Sequence, residues 1–414
     1  MALDHGPGHS MTCVSRFWLS EPVDRRSFLA AVAAVARDNP FLAVRRRGGS
    51  WLAVDFAPDV QVDWGTAAIP IDWRHLAPDD SLVRWTVRTG RLGDLGIADA
   101  EHADRTGTLV VLRYPHAVAD GLGAAAAMRQ VCDVLAGRSA PRPTEADLEA
   151  RHALGGSPVA GRRRRRWEVD RIARYFTRWP APFAPDGGTA ASGPAGVIAC
   201  ERMVASAAAT AALRAASRAA GVTLNDVLLA SLFRVLRQDM DPGAVIRIAV
   251  PTSLRPPGNA AFCNQVSMVF LQRKAARAAD PGLLSEVSRE MNHVKRWRLG
   301  NAMHWFLGHG FRVGEGAIGL FMRLPVVSTT AVLSNLGEPF AAAPEAGLRV
   351  VAHDLLSPLR PGTNLAIAAV GHDGRLGLTA RYAPDHVSPE RARRVLERTF
   401  AEAAGLLQAG TGAG

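Results

Sequence analysis

The chain has 414 residues, of which 48% are hydrophobic and 21% charged, with a net charge of +11. That is globular composition with apolar material for two cores, and no apolar run reaches the roughly 20 residues a membrane-spanning helix needs. Cys13, Cys132, Cys200 and Cys263 lie far apart without a C-x-x-C pair, so neither a zinc site nor a disulfide framework is expected. No basic stretch followed by an apolar core opens the sequence, so the expectation is a reduced, cytoplasmic protein. H-E-x-x-H, the P-loop and the G-x-S-x-G elbow are all missing from the sequence.

TCVSRFWLSE, from Thr12, reads as a strand. In the following DRRSFLAAVAAVARDNP, Phe28, Leu29, Val32 and Val35 share one helical face, and Asn39-Pro40 ends the helix. FLAVRRR and SWLAVDF form a predicted hairpin through Gly48-Gly49. Residues 57–107 are loop-rich around the strand LVRWTVRTG (82–90). TLVVLRY (108–114) is an apolar run expected as a buried strand, and GLGAAAAMRQVCDVLAG (121–137) is a small-residue helix closed by glycine.

Between these two elements stands Tyr-Pro-His116-Ala-Val-Ala-Asp120-Gly121, an H-x-x-x-D-G run. A histidine on a tight strand-to-helix turn is presented to a cleft, and imidazole is the side chain best suited to take a proton near neutral pH. A chance match with a surface or structural histidine is the competing reading.

Residues 138–196 are rich in proline and glycine and read as a crossover linker. Within them, residues 162–179 hold eight arginines against Glu168 and Asp170, more than half of the net charge. Val169, Ile172, Tyr175, Phe176 and Trp179 fall at helical spacing there. Arg162–Arg166 are placed in the loop ahead of that helix, because five cations would oppose its dipole. The segment is either a solvated linker with a docked helix, or a contact surface for membrane lipid, a carrier protein or coenzyme phosphates.

From 197 the pattern is regular again. VIACERMVA is a strand, and ATAALRAASRAAGVTLNDVLLASLFRVLRQ holds two helices broken at Gly221, with Thr223 as N-cap of the second. VIRIAVPTSLRPP (245–257) and NQVSMVFLQR (264–273) are strands, and residues 281–299 a helix. VVSTTAVLSNLG (326–337) is a strand, LAIAAVGHDGRLGLTARYA (365–383) a hairpin turning at Asp373-Gly374, and residues 388–408 a terminal helix. Alternating strands and helices in both halves predict α/β layers. Trp297, Met303, Trp305 and Phe306 are core or acyl-pocket residues. His5, His9, His304, His309, His353, His372 and His386 carry no motif and are given no chemistry.

The H-x-x-x-D-G run resembles the active-site motif of the coenzyme A-dependent acyltransferase superfamily, which includes chloramphenicol acetyltransferase, condensation domains and wax ester synthase/diacylglycerol acyltransferases. Four other stretches agree in order. ARDNPFL (36–42) is similar to the helix end near the family N-terminus, and GVTLNDVLLASL (221–232) to its Asn-Asp helix start. VPTSLRPPGNAAFCNQVS (250–267) resembles its Pro-x-Ser-x-Arg strand, and LSNLGEP (333–339) its Ser-Asn strand end. The resemblance covers most of the chain. Condensation-type relatives often carry two adjacent histidines, and Pro115 stands in place of the first.

The resemblance implies two chloramphenicol-acetyltransferase-like subdomains, each a mixed sheet with helices, forming a channel at their interface. Residues 1–137 would be the N-terminal subdomain, 138–196 the basic crossover and 197–414 the C-terminal subdomain. His116 would be the base and Asp120 the second residue of the catalytic motif, holding the loop through Arg255 with support from Gly121. Ser334 and Asn335 are oxyanion candidates or a strand-end turn; Asn264 and Ser267 are channel-lining candidates. No metal or permanent cofactor is expected, only acyl-CoA or acyl-phosphopantetheine as co-substrate. The partners would be acyl-CoA or an acyl carrier protein from another chain, and a small alcohol or amine. Peripheral membrane contact would run through Arg162–Trp179, and no nucleic acid is expected. The alternatives are a catalytically silent scaffold of the same fold and a basic membrane-surface binding protein.

Overall fold

The structure, a computed structural model, describes residues 10–47, 50–76, 83–97, 100–145, 147, 173, 175–183, 196–301, 320, 324–341 and 348–411. Its N-terminal half is built on β1 (Thr12–Leu19) and β6 (Thr106–Pro115), paired antiparallel from Thr12 opposite Pro115 to Leu19 opposite Thr108. Gly107 to Tyr114 of β6 are buried without a break. A strand covered on both faces needs such a continuous apolar run. β5 (Arg84–Arg91) and β4 (Val62–Thr66) extend the sheet on one side. Helices Arg25–Asp38 and Gly121–Leu135 cover one face, burying Phe28, Val32, Met128 and Val131 with β-strand residues Phe17, Trp85 and Val110. The hairpin is present as β2 (Val44–Arg47) and β3 (Ser50–Ala53).

A second, six-stranded sheet runs in the order β7-β13-β12-β10-β8-β9. Its strands are β7 (Ala199–Val204), β8 (Val245–Ser253), β9 (Val266–Lys274), β10 (Ala331–Asn335), β12 (Leu365–His372) and β13 (Arg375–Tyr382). β10 lies parallel to both β8 and β12, while the remaining pairs are antiparallel. Helix Leu224–Leu236 is almost wholly buried against it and starts at a capping box between Thr223 and Asp226. With β4 parallel to β5 in the first sheet, both halves are mixed sheets with helices, as the family resemblance implies.

One strand crosses the sequence boundary at 197. β11 (Val350–Leu356), buried along its whole length, is the edge strand of the first sheet, antiparallel to β1. The C-terminal part of the chain thus lends a strand to the N-terminal sheet before returning through β12. β11 has no counterpart among the sequence-derived elements.

Of the crossover, Tyr175 and Phe176 pack edge-on against Phe270 of β9, with ring centroids 5.4 and 6.3 Å away. Fully buried Arg247 donates to the carbonyls of Tyr175, Arg178 and Val326, tying the crossover to the second sheet. Trp179 is exposed. Arg162–Arg166 lie outside the described residues, as do Met303, Trp305 and Phe306; Trp297 packs on the second core. No single helix among the described residues is long and apolar enough to cross a membrane.

Candidate active site

His116 directly follows β6, and its backbone N–H donates to Met11 O at 2.8 Å. The chain then turns tightly, with Val118 N–H bonded to Pro115 O. Pro115 is suited to this point, since the turn uses its carbonyl and asks nothing of its missing N–H. Nδ1 of His116 lies 3.2 Å from Ala119 O. A carbonyl oxygen only accepts, so Nδ1 is the donor in this contact.

Asp120 caps the helix Gly121–Leu135 and is buried. Its Oδ1 accepts from Gly123 N–H at 2.7 Å and from Arg255 Nη2 at 3.1 Å. Oδ2 accepts from Gln265 N–H at 2.8 Å and from Arg255 Nη2 at 3.3 Å. Arg255 also donates to Asn259 Oδ1, Ala261 O and Cys263 O. A carboxylate so saturated has no lone pair left for substrate, which makes Asp120 a positioning residue and not a catalytic one. Gly121 also supports the loop, though not through an unusual turn: a Cβ there would come within 2.9 Å of Leu336 and Leu355. At Gly123 a Cβ would meet Cys263 O at 2.9 Å.

His116 opens into a cleft between the sheets, about 100 Å³ in volume. Met11, Cys13 and Leu122 line it from the first half; Pro251, Met268, Val332, Ser334 and Asn335 line it from the second. Asn335 Oδ1 accepts from Gly337 N–H, an Asx turn at the end of β10, so the turn reading of this residue holds. Its amide N–H groups and the Ser334 hydroxyl make no hydrogen bond to the described residues and remain as donors on the cleft wall. Cys13 is a poor nucleophile, because burial pushes its thiol pKa well up.

Two expectations need correction. Asn264 is not among the cleft-lining residues; its side chain donates to His116 O and accepts from Val266 N–H, so it braces the histidine loop. Ser267 is absent from the lining as well, with its hydroxyl buried. Strand alternation turns Val266 and Met268 of β9 to the cleft and Ser267 away from it. The sequence reading passed over Met11, Cys13, Thr329, Arg360 and Thr363, which also line the cleft and carry no motif. No three His, Cys, Asp or Glu side chains gather as a metal site among the described residues.

No family model matches the sequence, and no curated protein does. Solved structures do. SgcC5 protein from Streptomyces globisporus, in complex with (R)-(-)-1-(2-naphthyl)-1,2-ethanediol and sucrose, superposes with a TM-score of 0.69 at 13% identity, over 98% of this chain and 94% of that one. The first condensation domain of the calcium-dependent antibiotic synthetase, with a substrate analogue, gives 0.63 at 15% identity, over 97% and 92%. The chain has the condensation-domain fold. Trichothecene 15-O-acetyltransferase from Fusarium sporotrichioides shares that fold with a TM-score of 0.63 at 10% identity, over 96% and 91%. The condensation-domain fold accounts for the two mixed sheets and for a cleft walled by both.

Proposed function

We propose that the chain is an acyltransferase that moves an acyl group directly from a thioester to an alcohol or amine, with His116 as general base. The observation that carries this reading is His116 at the inter-sheet cleft with Nδ1 3.2 Å from Ala119 O, a contact that suits a neutral ring with its proton on Nδ1 and Nε2 as the base. Nε2 takes the acceptor's O–H or N–H proton as that atom bonds to the thioester carbonyl carbon. The resulting oxyanion is met by Ser334 and Asn335. As the C–S bond breaks, the proton passes from Nε2 to the departing sulfur, leaving a free thiol and an ester or amide. The donor is acyl-CoA or an acyl-phosphopantetheine on a carrier protein. A ternary complex suffices, since the buried, protonated Cys13 offers no nucleophile for an acyl-enzyme.

The test is thiol release from acyl-CoAs of increasing chain length with pooled alcohols and amines, wild type beside His116→Ala. Acceptor-dependent release that the variant loses is expected. Equal release from both proteins would remove His116 from the mechanism. No release from free or carrier-bound thioesters would favour the silent scaffold.

A further inference from the structure

The second sheet gives the cleft a floor that recedes from His116 in rows. Ala249 and Pro251 of β8, Val266 and Met268 of β9, and Val332 and Ser334 of β10 line the cleft, two residues apart within each strand as one sheet face requires. Val266 lies at the histidine end, because Asn264 two residues earlier holds His116 O. Behind it Met268 stands opposite Pro251, and behind that Phe270 stands opposite Ala249, which on its other side faces Val332. Met268, Ala249 and Val332 make this stretch apolar. A separate apolar group, Leu122, Leu336 and Leu355, belongs to the histidine turn, since Leu336 and Leu355 are the side chains that approach Gly121.

The floor ends at the crossover. Phe270 does not open to the cleft: the rings of Tyr175 and Phe176 meet it edge-on, and the Arg247 guanidinium lies 5.8 Å from its centroid. Ala249, Met268 and Val332 pack against the same aromatic group. A ring held from three sides in a close-packed cluster does not swing aside. The next row is Arg247 opposite Gln272. Arg247 is fully buried there, bonded to Gln272 Oε1 and to the carbonyls of Tyr175 and Arg178. An alkyl chain running past Phe270 would strip hydrogen bonds from a buried cation, a cost that apolar contact does not offset.

We propose that this floor seats the acyl chain of the donor, and that Phe270, backed by Tyr175, is the stop that limits its length, so that the chain takes short acyl groups and discriminates against long ones. This rests on the acyl-transfer reading and adds the donor class to it. A thioester carbonyl held at Ser334 starts the acyl tail on β10, and Val332 carries it onward on the same strand face. Two residues of strand span about 7 Å, which an extended alkyl chain covers in about five or six carbons. The leucine group at the histidine turn is left to the acceptor, whose reacting atom must reach His116.

The experiment measures kcat/KM for acyl-pantetheines from acetyl to decanoyl with pooled alcohols and amines. Wild type, Phe270→Ala, Tyr175→Ala and Val332→Phe are used as full chains, with melting temperature as the check on folding. Val332 is only half-buried, so Val332→Phe tests the floor even where a variant of the aromatic cluster does not fold. Wild type is expected to prefer hexanoyl over decanoyl by about 10- to 100-fold. Phe270→Ala and Tyr175→Ala should shrink that ratio about tenfold, and Val332→Phe should move the optimum to acetyl or propionyl. Equal wild-type turnover of hexanoyl and decanoyl overturns the proposal, as does an unchanged chain-length profile in folded Val332→Phe. A Val332→Phe protein that discriminates by acceptor size and not by acyl length also overturns it, by assigning the floor to the acceptor. If no thioester is turned over, the acyl-transfer reading fails by itself. Calorimetric binding of S-butyl-, S-hexyl- and S-decyl-pantetheine, thioethers that cannot be transferred, then decides this one. Affinity that rises to hexyl and drops at decyl, with the drop relieved in Phe270→Ala or Tyr175→Ala, supports the stop; equal affinity at all lengths, or absent binding, overturns it.

Discussion

Behind His116 and in front of it, the same short turn faces two opposite environments. Behind lies a polar bracket in which Asp120, Arg255, Asn259 and Asn264 spend most of their hydrogen bonds on one another and on the backbone. In front lies a cleft with an apolar wall, where Ser334 and Asn335 keep donors unspent. The bracket tolerates no change of charge, because a buried ion that loses its partner is costly. The cleft needs its polar groups uncommitted, because only those can answer charge that develops during a reaction. Holding and reacting are thus divided between the two sides of one loop, and substitutions should separate them.

The largest effect is expected from breaking the bracket. Arg255→Leu leaves Asp120 buried beside neutral neighbours and should cost about 3–5 kcal/mol in urea unfolding. Asp120→Asn removes the charge at the other end, and the double variant Asp120→Asn/Arg255→Leu should recover part of the single-variant loss. A loss below 1 kcal/mol for Arg255→Leu, or strict additivity in the double variant, would mean that the pair does not hold the loop.

Next comes acid. His353 of β11 stacks on Phe17 with centroids 4.6 Å apart, and neither ring nitrogen has a hydrogen-bond partner among the described residues. Burial lowers its pKa to about 3. The unfolded chain binds the proton near pH 6.5, so the folded state, which refuses it, loses stability as pH falls from 6.5 towards 3 and has this contribution in full above 6.5. The slope is at most about 1.4 kcal/mol per pH unit, and His353→Leu should flatten it. Unchanged slopes in the two proteins would assign acid sensitivity elsewhere.

Smaller still is Gly123→Ala, whose methyl group collides with Cys263 O; about 1–3 kcal/mol of stability should go with it. Smallest is Cys13→Ala, which sits on the reacting side without a reacting role and should change the rate by no more than about twofold. An abolished rate in a folded Cys13→Ala protein would restore the acyl-enzyme route.

His116, Asp120 and most elements are legible in the sequence because their signals are local: a buried strand, a turn motif and an apolar helix follow one another within thirty residues. The Asp120–Arg255 pair spans 135 residues and was available only through the family resemblance. What lies beyond local pattern was missed or misplaced. β11 joins β1 across more than three hundred residues, a pairing that no window of sequence carries. Ser267 was misassigned because a strand's register, and not its composition, decides which face each residue takes. Arg360 lines the cleft from the link between β11 and β12 and had no motif to mark it.

The central claim is that His116 activates the acceptor for direct transfer. One measurement confronts it: a single turnover of the best acyl thioester with and without acceptor, read by intact-protein mass and product mass, for wild type and a folded His116→Ala protein. The account predicts acylated acceptor and free thiol from wild type, no mass added to the protein, and a rate about 10²- to 10⁴-fold lower in the variant. A covalent acyl-protein in the absence of acceptor, or an undiminished rate without the imidazole, would contradict it.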